Sequence, residues 1–302
     1  MKDHLHRQGL LALLLTAILW SSGGLLIKSI PLPALTIAGG RSAIAAIVML
    51  LWLRKPKPIW TVAQWGSIIS YTLTVILFVM ATKLTTAANA IFLQYTAPIW
   101  VAIFSVFVTK EKLTRIDLIS VLVVMAGMSV FFLDKMEGGQ LTGNLIALAS
   151  GLAFAGVALF MRAQNGVSTT ESILFGNILT FGVCALFVVP SAMFQVPSTI
   201  SPFSFFAISP FSLFALVLMG VFQLGVSYIL YSWAMKHVTA IEAILITTLE
   251  PILNPLWVAL FLGEVPSTVA IIGGLIVVAG VVARNFAYER AHDPAAHRSA
   301  DH

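Results

Sequence analysis

Charged side chains are scarce in this sequence. Asp, Glu, Lys and Arg make up 10% of its 302 residues, whereas 59% of the residues are hydrophobic. Soluble domains carry roughly 25% charged residues, so a water-soluble globular fold is excluded for most of the chain. The single cysteine, Cys184, excludes an intrachain disulfide and gives no information about the redox compartment.

Sequence motifs for catalysis, metal binding and nucleotide hydrolysis are missing as well. Neither His-Glu-x-x-His nor Gly-x-Ser-x-Gly occurs, and no Gly-x4-Gly-Lys-Ser/Thr loop is found. The six histidines, at positions 4, 6, 237, 292, 297 and 302, all lie away from the centres of the long apolar runs. We therefore predict that the protein is not an enzyme, that it binds no cofactor or metal, and that ATP does not drive it. The last three histidines are assigned to a disordered polar tail rather than to a metal site.

Apolar runs of about 20 residues are abundant, and this is the length that a helix needs to cross a hydrocarbon core of ~30 Å. Backbone polar groups inside a bilayer must be satisfied within the chain, which leaves helices or closed barrels. Continuous rather than alternating hydrophobicity favours helices. We predict ten membrane spans, at 10–28, 34–53, 62–82, 88–108, 116–133, 142–161, 171–191, 211–232, 240–261 and 267–286.

The distribution of the basic residues predicts the orientation of these spans. With the N-terminus inside, 13 Lys and Arg residues fall in the inner segments and three, Lys28, Lys83 and Lys135, in the outer loops. This positive-inside bias predicts that both termini are cytoplasmic. The net charge of +5 is then explained by helix orientation, so we expect the lipid bilayer, and not nucleic acid, as the macromolecular surroundings of the chain.

Residues 81–130 and 234–283 are two copies of one segment. At an offset of 153 positions, 14 of the 50 aligned pairs are identical, including Pro98 with Pro251 and Glu111 with Glu264. A period of this length indicates a duplicated half-protein. Both prolines are candidate helix hinges, because proline frees the carbonyl group four residues back.

Each half holds five spans, an odd number, so the second copy enters the membrane in the opposite orientation. We predict an all-α membrane protein whose ten transmembrane helices form an inverted repeat of 5+5 helices. The chain divides into a cytoplasmic N-terminus (1–9), a first repeat (10–133), a second repeat (142–286) and a disordered cytoplasmic tail (287–302). Inverted repeats are common in secondary transporters, whose substrate site lies near the bilayer midplane between the halves. Gly127 and Gly280 allow close helix approach, either for structure alone or as the seam of a homodimer.

Glu250 is the sharpest candidate for a functional residue, because it lies ten residues into a predicted span of 22 residues. Desolvation disfavours a charged carboxylate, which makes Glu250 a candidate for proton coupling or for binding an ammonium group. Thr247, Asn254 and Trp257 share its helix face at spacings of three and four. This stripe favours a functional role over a neutral glutamate that serves structure alone.

Arg41 is the second ionisable residue inside a span, and two interpretations of it stay open. It is a counter-ion to Glu250 or a partner for a substrate carboxylate, or its side chain snorkels to the outer interface. Asn89 and Glu242 are counterparts in the repeat, near opposite faces of the membrane. These two residues line a vestibule or cap helices, and capping is the favoured interpretation.

Aromatic and amide side chains recur within the spans and indicate a partly polar interior cavity. Ligand pockets are mostly apolar and aromatic with a few polar groups, so such a cavity suits a small amphipathic molecule. Each residue alone is more typical of ordinary packing, and the prediction depends on the set. The predicted substrate site comprises Trp20, Arg41, Tyr71, Asn89, Gln94, Tyr95, Gln223, Tyr231, Glu250 and Asn254.

The segments around the two repeated prolines resemble a known family. They read Gln94-Tyr-Thr-Ala-Pro98 with Glu111 downstream, and Leu249-Glu-Pro251 with Leu262-Gly-Glu264 downstream, each ahead of a helix with an Ala-Gly pair. Over residues 10–286 the chain resembles the ten-helix EamA proteins of the drug/metabolite transporter superfamily. The first copy departs from the pattern, with Thr-Lys-Glu where the second has Leu-Gly-Glu.

This resemblance implies an inner-membrane permease, commonly an exporter of amino acids, related metabolites or toxic amines. It also implies that spans 1, 3, 4, 6, 8 and 9 surround the cavity. The expected function is secondary transport by alternating access, with the proton as the candidate coupling ion. The alternatives are an uncoupled facilitator or channel and, less favoured, a membrane-embedded enzyme.

Overall fold

The computed structural model describes residues 2–108, 140–164, 169–193, 209–234 and 249–292, together with single positions between 115 and 130 and residues 237, 246 and 247. Helices and their connections make up this part of the chain. The helices are α1 (Lys2–Ser29), α2 (Ala34–Leu53), α3 (Val62–Leu84), α4 (Ala87–Gln94), α5 (Ala97–Val108), α6 (Gln140–Ala163), α7 (Thr169–Met193), α8 (Pro210–Ala234), α9 (Leu249–Leu262) and α10 (Thr268–His292).

Six of the described helices, α1, α2, α3, α6, α7 and α8, have the length and apolar composition that crossing a bilayer requires. Helix α9 and the segment Thr268–Gly280 of α10 are apolar but shorter. Large aliphatic side chains are exposed on the outside of the bundle; Val62, for example, is 86% exposed and Leu51 is 73% exposed. An outward apolar surface on long helices is the arrangement of a multi-pass membrane protein. The fifth predicted span, 116–133, falls largely outside the described residues.

The fourth predicted span is broken into α4 and α5. Helix α4 ends at Gln94, and α5 begins at Ala97, with Thr96 donating its hydroxyl to the carbonyl oxygen of Leu93 at 2.7 Å. Pro98 cannot donate a backbone hydrogen bond to residue 94, and proline is tolerated in the first turn of a helix. The break therefore lies just ahead of the proline that the sequence marked as a hinge.

Pro251 lies in the first turn of α9 as far as the structure describes that helix, and Glu250 directly precedes it. Most of residues 240–248, the first part of the predicted span 240–261, lie outside the described residues. The proline within the body of α9 is Pro255.

Helix α8 contains a π-helical segment from Met219 to Val226. In a π-helix the backbone hydrogen bond spans five residues instead of four, so side chains five positions apart come onto one face. Two glycines in the segment pack against α2, and a Cβ added at Gly220 would lie 2.5 Å from the Cβ of Ile44. This close approach brings α8 next to the middle of α2.

The helices of the predicted first repeat pack directly on those of the second. Helix α3 lies along α6 and α7, α2 packs on α7 and α8, and α1 packs on α9 and α8. Gly127, a candidate for a dimer seam, packs within the chain, because a Cβ there would lie 2.9 Å from Cγ2 of Ile276 in α10. The interior that remains between these packed pairs contains the cavity described next.

Candidate functional site

A cavity of about 60 Å³ lies at the centre of the described helices. Its walls come from α1, α2, α3, α4, α6, α8 and α9, which include all six spans that the resemblance implies and α2 as well. It is lined by Trp20, Arg41, Thr74, Val75, Phe78, Gln94, Phe154, Gln223, Leu224, Tyr228 and Glu250.

The size of the cavity corresponds to a few water molecules, since each needs on the order of 10–15 Å³. Pockets that hold small ligands measure roughly 300–1,000 Å³. The cavity in this conformation is therefore smaller than a typical ligand pocket.

Glu250 is the acidic group of the cavity. Its Oε2 atom accepts a hydrogen bond of 2.8 Å from the hydroxyl of Tyr95, which also lies 3.1 Å from the carbonyl oxygen of Thr247. The Tyr95 hydroxyl has one proton to donate, so it holds one carboxylate oxygen of Glu250 from the side of α4. Glu250 also lines the cavity.

Arg41 is the basic group of the cavity and is only 2% exposed. Its Nη1 donates a hydrogen bond of 3.0 Å to Oε1 of Gln223. Its Nε makes no hydrogen bond within the described part of the chain. Although the structure describes both residues, Arg41 forms no ion pair with Glu250, so the cavity presents an acid and a base that do not neutralise each other directly.

Aromatic rings form part of the cavity wall, where Trp20 and Tyr228 line it. The ring of Trp20 lies 5.1 Å from that of Tyr228 and 5.3 Å from that of Tyr231, measured between centroids. Tyr71 meets Tyr228 edge-on at 5.6 Å. The indole nitrogen of Trp20 donates to Oγ of Ser227 at 2.9 Å, which fixes the ring on α8. Aromatic faces of this kind pack against apolar groups and attract cations.

A chain of hydrogen bonds between polar groups joins α3, α4 and α6. Gln94 donates through Nε2 to Oγ of Ser150 at 2.8 Å, and Ser150 donates in turn to the carbonyl oxygen of Thr74 at 3.3 Å. Gly151 sits beside this chain of hydrogen bonds, where an added Cβ would lie 2.9 Å from the carbonyl oxygen of Gln94. The break after α4 is thus packed closely against α6.

Five of the ten predicted site residues, Trp20, Arg41, Gln94, Gln223 and Glu250, line the cavity together. Three more contact the lining residues or their neighbours. Tyr95 donates a hydrogen bond to Glu250, and the ring of Tyr231 packs on that of Trp20. Tyr71 packs on the ring of Tyr228 and is hydrogen-bonded to Asn177. The remaining two, Asn89 and Asn254, are buried elsewhere between helices. Glu242 lies outside the described residues.

Asn254 closes the bundle on one side of the cavity instead of lining it. An added Cβ at Gly24 of α1 would overlap Oδ1 of Asn254 and would lie 3.2 Å from Cβ of Ala87, so α1, α9 and α4 meet at this point. One turn further along α9, the indole nitrogen of Trp257 donates to Oγ of Ser21 at 2.9 Å. The cavity is therefore separated from the predicted outer face by a tight contact of three helices.

Asn89 does not cap α4; Thr86 does, with its hydroxyl accepting from the backbone N–H of Asn89 at 3.1 Å. The Asn89 amide instead donates towards Oδ1 of Asn144 at 3.3 Å, and Thr85 donates to the same atom at 2.7 Å. Asn89 thus belongs to a polar cluster that links α4 to the start of α6.

An ion pair lies beside this cluster, at the ends of α1 and α9. Lys28 Nζ is 2.8 Å from Oε2 of Glu264, and Oε1 of Glu264 accepts from the backbone N–H of Ala87 at 2.7 Å. Lys28 also donates to the carbonyl oxygen of Thr85 at 2.7 Å. We call this set of contacts the outer latch, because the predicted orientation places all of its residues on the outer side.

Tyr228 and Ser150 are site residues that the sequence analysis missed. The α-helical spacing pairs Gln223 with Ser227 and Tyr231, whereas the π-helical segment brings Tyr228, five residues on, to the cavity beside Gln223. Ser150 lies in a run of small and apolar residues, and only its contact with Gln94 distinguishes it. Among the described residues, no group of three or more His, Cys, Asp or Glu side chains could hold a metal ion.

Apolar helices around a small cavity with an acid, a base and aromatic rings define a polytopic membrane protein with an internal polar site. The chain belongs to the EamA-like transporter family, whose family model matches residues 7–133 and 141–285. This match confirms the resemblance inferred from the repeated proline and glutamate segments.

Curated relatives agree with this assignment, and a solved structure has the same fold. An uncharacterized transporter of Clostridium kluyveri is 25% identical over 303 residues, covering 95% of this chain and 96% of the relative. An uncharacterized transporter of Archaeoglobus fulgidus is 25% identical over 279 residues, covering 91% and 96%. A protein crystal structure shares the fold, with a TM-score of 0.64 at 18% identity, over 94% of this chain and 98% of that one.

Proposed function

We propose that this protein is a secondary transporter that moves a small amphipathic metabolite, an amino acid, an amine or a related compound, across the inner membrane. It works as an exporter by alternating access between two inverted five-helix halves, with both termini cytoplasmic and with Glu250 as the proton-coupling residue. The names of the relatives support transport in general. The substrate, the direction and the coupling are our proposal.

The observation that carries the proposal is the presence in one cavity of an acid and a base that form no ion pair with each other. Glu250 and Arg41 both line the cavity, and each is held by a neutral partner, Tyr95 and Gln223 respectively. A buried charge without a counter-ion is costly and marks a functional site in a membrane protein. A substrate with an ammonium group and a carboxylate would pair with both charges at once.

The closure of the cavity on the predicted outer side favours a carrier over an open channel. Helices α1, α4 and α9 meet at Gly24, and the outer latch lies beyond that contact. A solute in the cavity must therefore wait for these helices to separate. Inverted-repeat transporters place their site between halves that rock in this way.

Reconstitution into proteoliposomes tests the proposal directly. We expect saturable uptake and counterflow of a labelled amino acid or amine, and we expect a pH gradient to accelerate uptake. Glu250→Gln should reduce transport at least about tenfold, because a neutral amide replaces the carboxylate that binds the ammonium group. It should also abolish acceleration by the pH gradient.

Glu171→Gln is the matched control, since Glu171 is a glutamate in the first turn of α7 and its contact is with the backbone of Lys57 outside the cavity. This variant should transport at the wild-type rate and keep its response to pH. If Glu250→Gln retains both the rate and the response, Glu250 has no part in the mechanism.

A further inference from the structure

Gln223 makes more contacts than lining the cavity requires. Its Oε1 accepts the hydrogen bond of Arg41, and its Nε2 lies against α1, where a Cβ added at Gly23 would overlap it. Its backbone carbonyl accepts the hydroxyl of Ser227, the residue that holds Trp20. The side chain is therefore fixed between α1 and α2 and cannot turn away from the guanidinium group without a change in helix packing.

The backbone of α8 sets this position. Gln223 lies in the π-helical segment, whose glycines allow α8 to approach α2 closely. A Cβ added at Gly220 would lie 2.8 Å from the carbonyl oxygen of Arg41 itself, so the backbones of the two helices are in contact one turn from the side-chain hydrogen bond. π-Helical turns are frequent at functional sites.

Because the partner of Arg41 is an amide and not a carboxylate, Arg41 keeps its positive charge available for a ligand. A glutamate has nearly the shape of a glutamine, but a carboxylate next to a guanidinium group forms a charge-assisted pair and neutralises it. The amide oxygen accepts one hydrogen bond and leaves the positive charge intact. Arg41 retains an Nε that bonds no atom of the described residues, so it has donor capacity left for a ligand.

We propose that Gln223 sets the charge selectivity of the cavity: it is a positioning residue that directs Arg41 into the cavity without neutralising it, so that the transported molecule carries a carboxylate in addition to an amino group. This inference rests on the proposed function, because it specifies the substrate of that cavity. The carboxylate binds at Arg41, the ammonium group binds at Glu250, and the remainder packs on the rings of Trp20 and Tyr228.

Paired ligands that differ only in the carboxylate test the proposal. Purified protein is titrated with phenylalanine and phenethylamine, and with leucine and isopentylamine, and the dissociation constants are measured by calorimetry. The wild type should bind each amino acid more tightly than its amine by about tenfold or more, the effect of a hydrogen bond to a charged group.

Two variants separate positioning from packing. Gln223→Glu should reverse the preference, because the new carboxylate pairs with Arg41: affinity for the amino acids should fall about tenfold or more, while affinity for the amines is kept or rises. Gln223→Met, which fills the same space without an acceptor oxygen, should lower the preference for the amino acids without reversing it. Gln8→Glu adds the same charge at an exposed position of α1 and should leave the preference unchanged.

The outcomes distinguish this inference from the function on which it rests. If the wild type binds neither member of either pair, the proposed substrate class is wrong, and the inference falls with it. If the wild type binds and transports these ligands but binds amine and amino acid equally, the inference alone is overturned. Equal losses for both ligands in Gln223→Glu and Gln223→Met would also overturn it, since they would assign Gln223 to packing. If Gln223→Glu does not fold, the preference of Gln223→Met for amino acid over amine decides between positioning and packing.

Discussion

Asn254 is a polar residue buried inside the bundle, with no hydrogen-bond partner in the part of the chain that the structure describes. Its Nδ2 and Oδ1 are both buried, and neither makes a hydrogen bond within the described residues. Each unsatisfied buried group costs about 1–3 kcal/mol relative to its hydrated state. Separation of α1 from α9 would expose this amide to water and recover part of that cost. Burial of the Asn254 amide therefore disfavours the closed contact with Gly24, as expected of a contact that opens in the proposed transport cycle.

Replacing Gly24 with alanine tests the contact. We expect Gly24→Ala to lower the free energy of unfolding by about 1–3 kcal/mol, the usual effect of overpacking. The reason is that the new Cβ would overlap Oδ1 of Asn254 and press on Ala87. Thermal unfolding in detergent, followed by tryptophan fluorescence, measures the change.

The control is another helical glycine. An added Cβ at Gly182 of α7 meets no atom within 4 Å, so Gly182→Ala should be neutral or slightly stabilising, because alanine favours the helix. A loss of stability of the same size in both variants would mean that the effect comes from the helices and not from the contact with Asn254.

The sequence alone predicted some site residues correctly and others not, because it shows which residues are costly to bury but not which helices meet. Glu250 and Arg41 are ionisable residues in apolar runs, so their cost of burial is visible before any fold is known. The role of Asn254 depends on which helix it meets, and a glycine on α1 gives no sign of its partner on α9. Contacts between distant segments are invisible to spacing rules.

The ends of α1, α4 and α9 are joined by the outer latch, in which the carboxylate of Glu264 bonds both Lys28 and the first N–H of α4. A helix N-terminus attracts a negative charge, so α4 strengthens the pair. Gly263 enables this arrangement: it ends α9 with a φ of 71°, a conformation that glycine adopts readily. The latch connects the two predicted repeats at one end of the cavity.

Weakening the latch should open the cavity towards the predicted outer side. In a Cys184→Ser background with Val75→Cys in the cavity, Glu264→Gln should raise the rate of modification by a membrane-impermeant maleimide added outside. Partly exposed ion pairs contribute about 0.2–1 kcal/mol, so an increase of up to about fivefold is expected.

A double-mutant cycle identifies the pair responsible. Lys28→Met should have a similar effect, and the combination with Glu264→Gln should add little, because both changes remove the same contact. Lys83→Met is the matched control, since Lys83 donates to the carbonyl oxygen of Ile30 and lies outside the latch. Independent, additive effects of Lys28→Met and Glu264→Gln would contradict the latch.

At the level of whole elements, periodicity predicted the long helices and missed their interruptions. The run 88–108 is apolar throughout, so the break between α4 and α5 is detectable only from Pro98 and not from hydropathy. The π-helical segment of α8 is not marked by hydropathy, and the role of its two glycines shows only in their packing against α2. That segment changed which aromatic residue faces the cavity, from Tyr231 to Tyr228.

The proposed alternating-access mechanism depends on how the two repeats pack against each other. The packing of α1 on α9, and of α3 on α6, joins residues of 10–133 to residues of 142–286 along their lengths. If the halves are inverted copies, each has one end at each face of the membrane, and rocking closes one face while it opens the other. Residues related by the offset of 153 must then lie on opposite sides.

Single cysteines at repeat-related positions test this requirement. Val265, beside the outer latch, is 74% exposed, and its counterpart at the offset of 153 is Lys112. In the Cys184→Ser background, Val265→Cys should react with an impermeant maleimide on intact cells, whereas Lys112→Cys should react only after permeabilisation. The Cys184→Ser protein, which contains no cysteine, sets the background of labelling. Labelling of both cysteines from the same side would rule out inversion, and with it the exchange of access between two halves on which the proposed transport cycle depends.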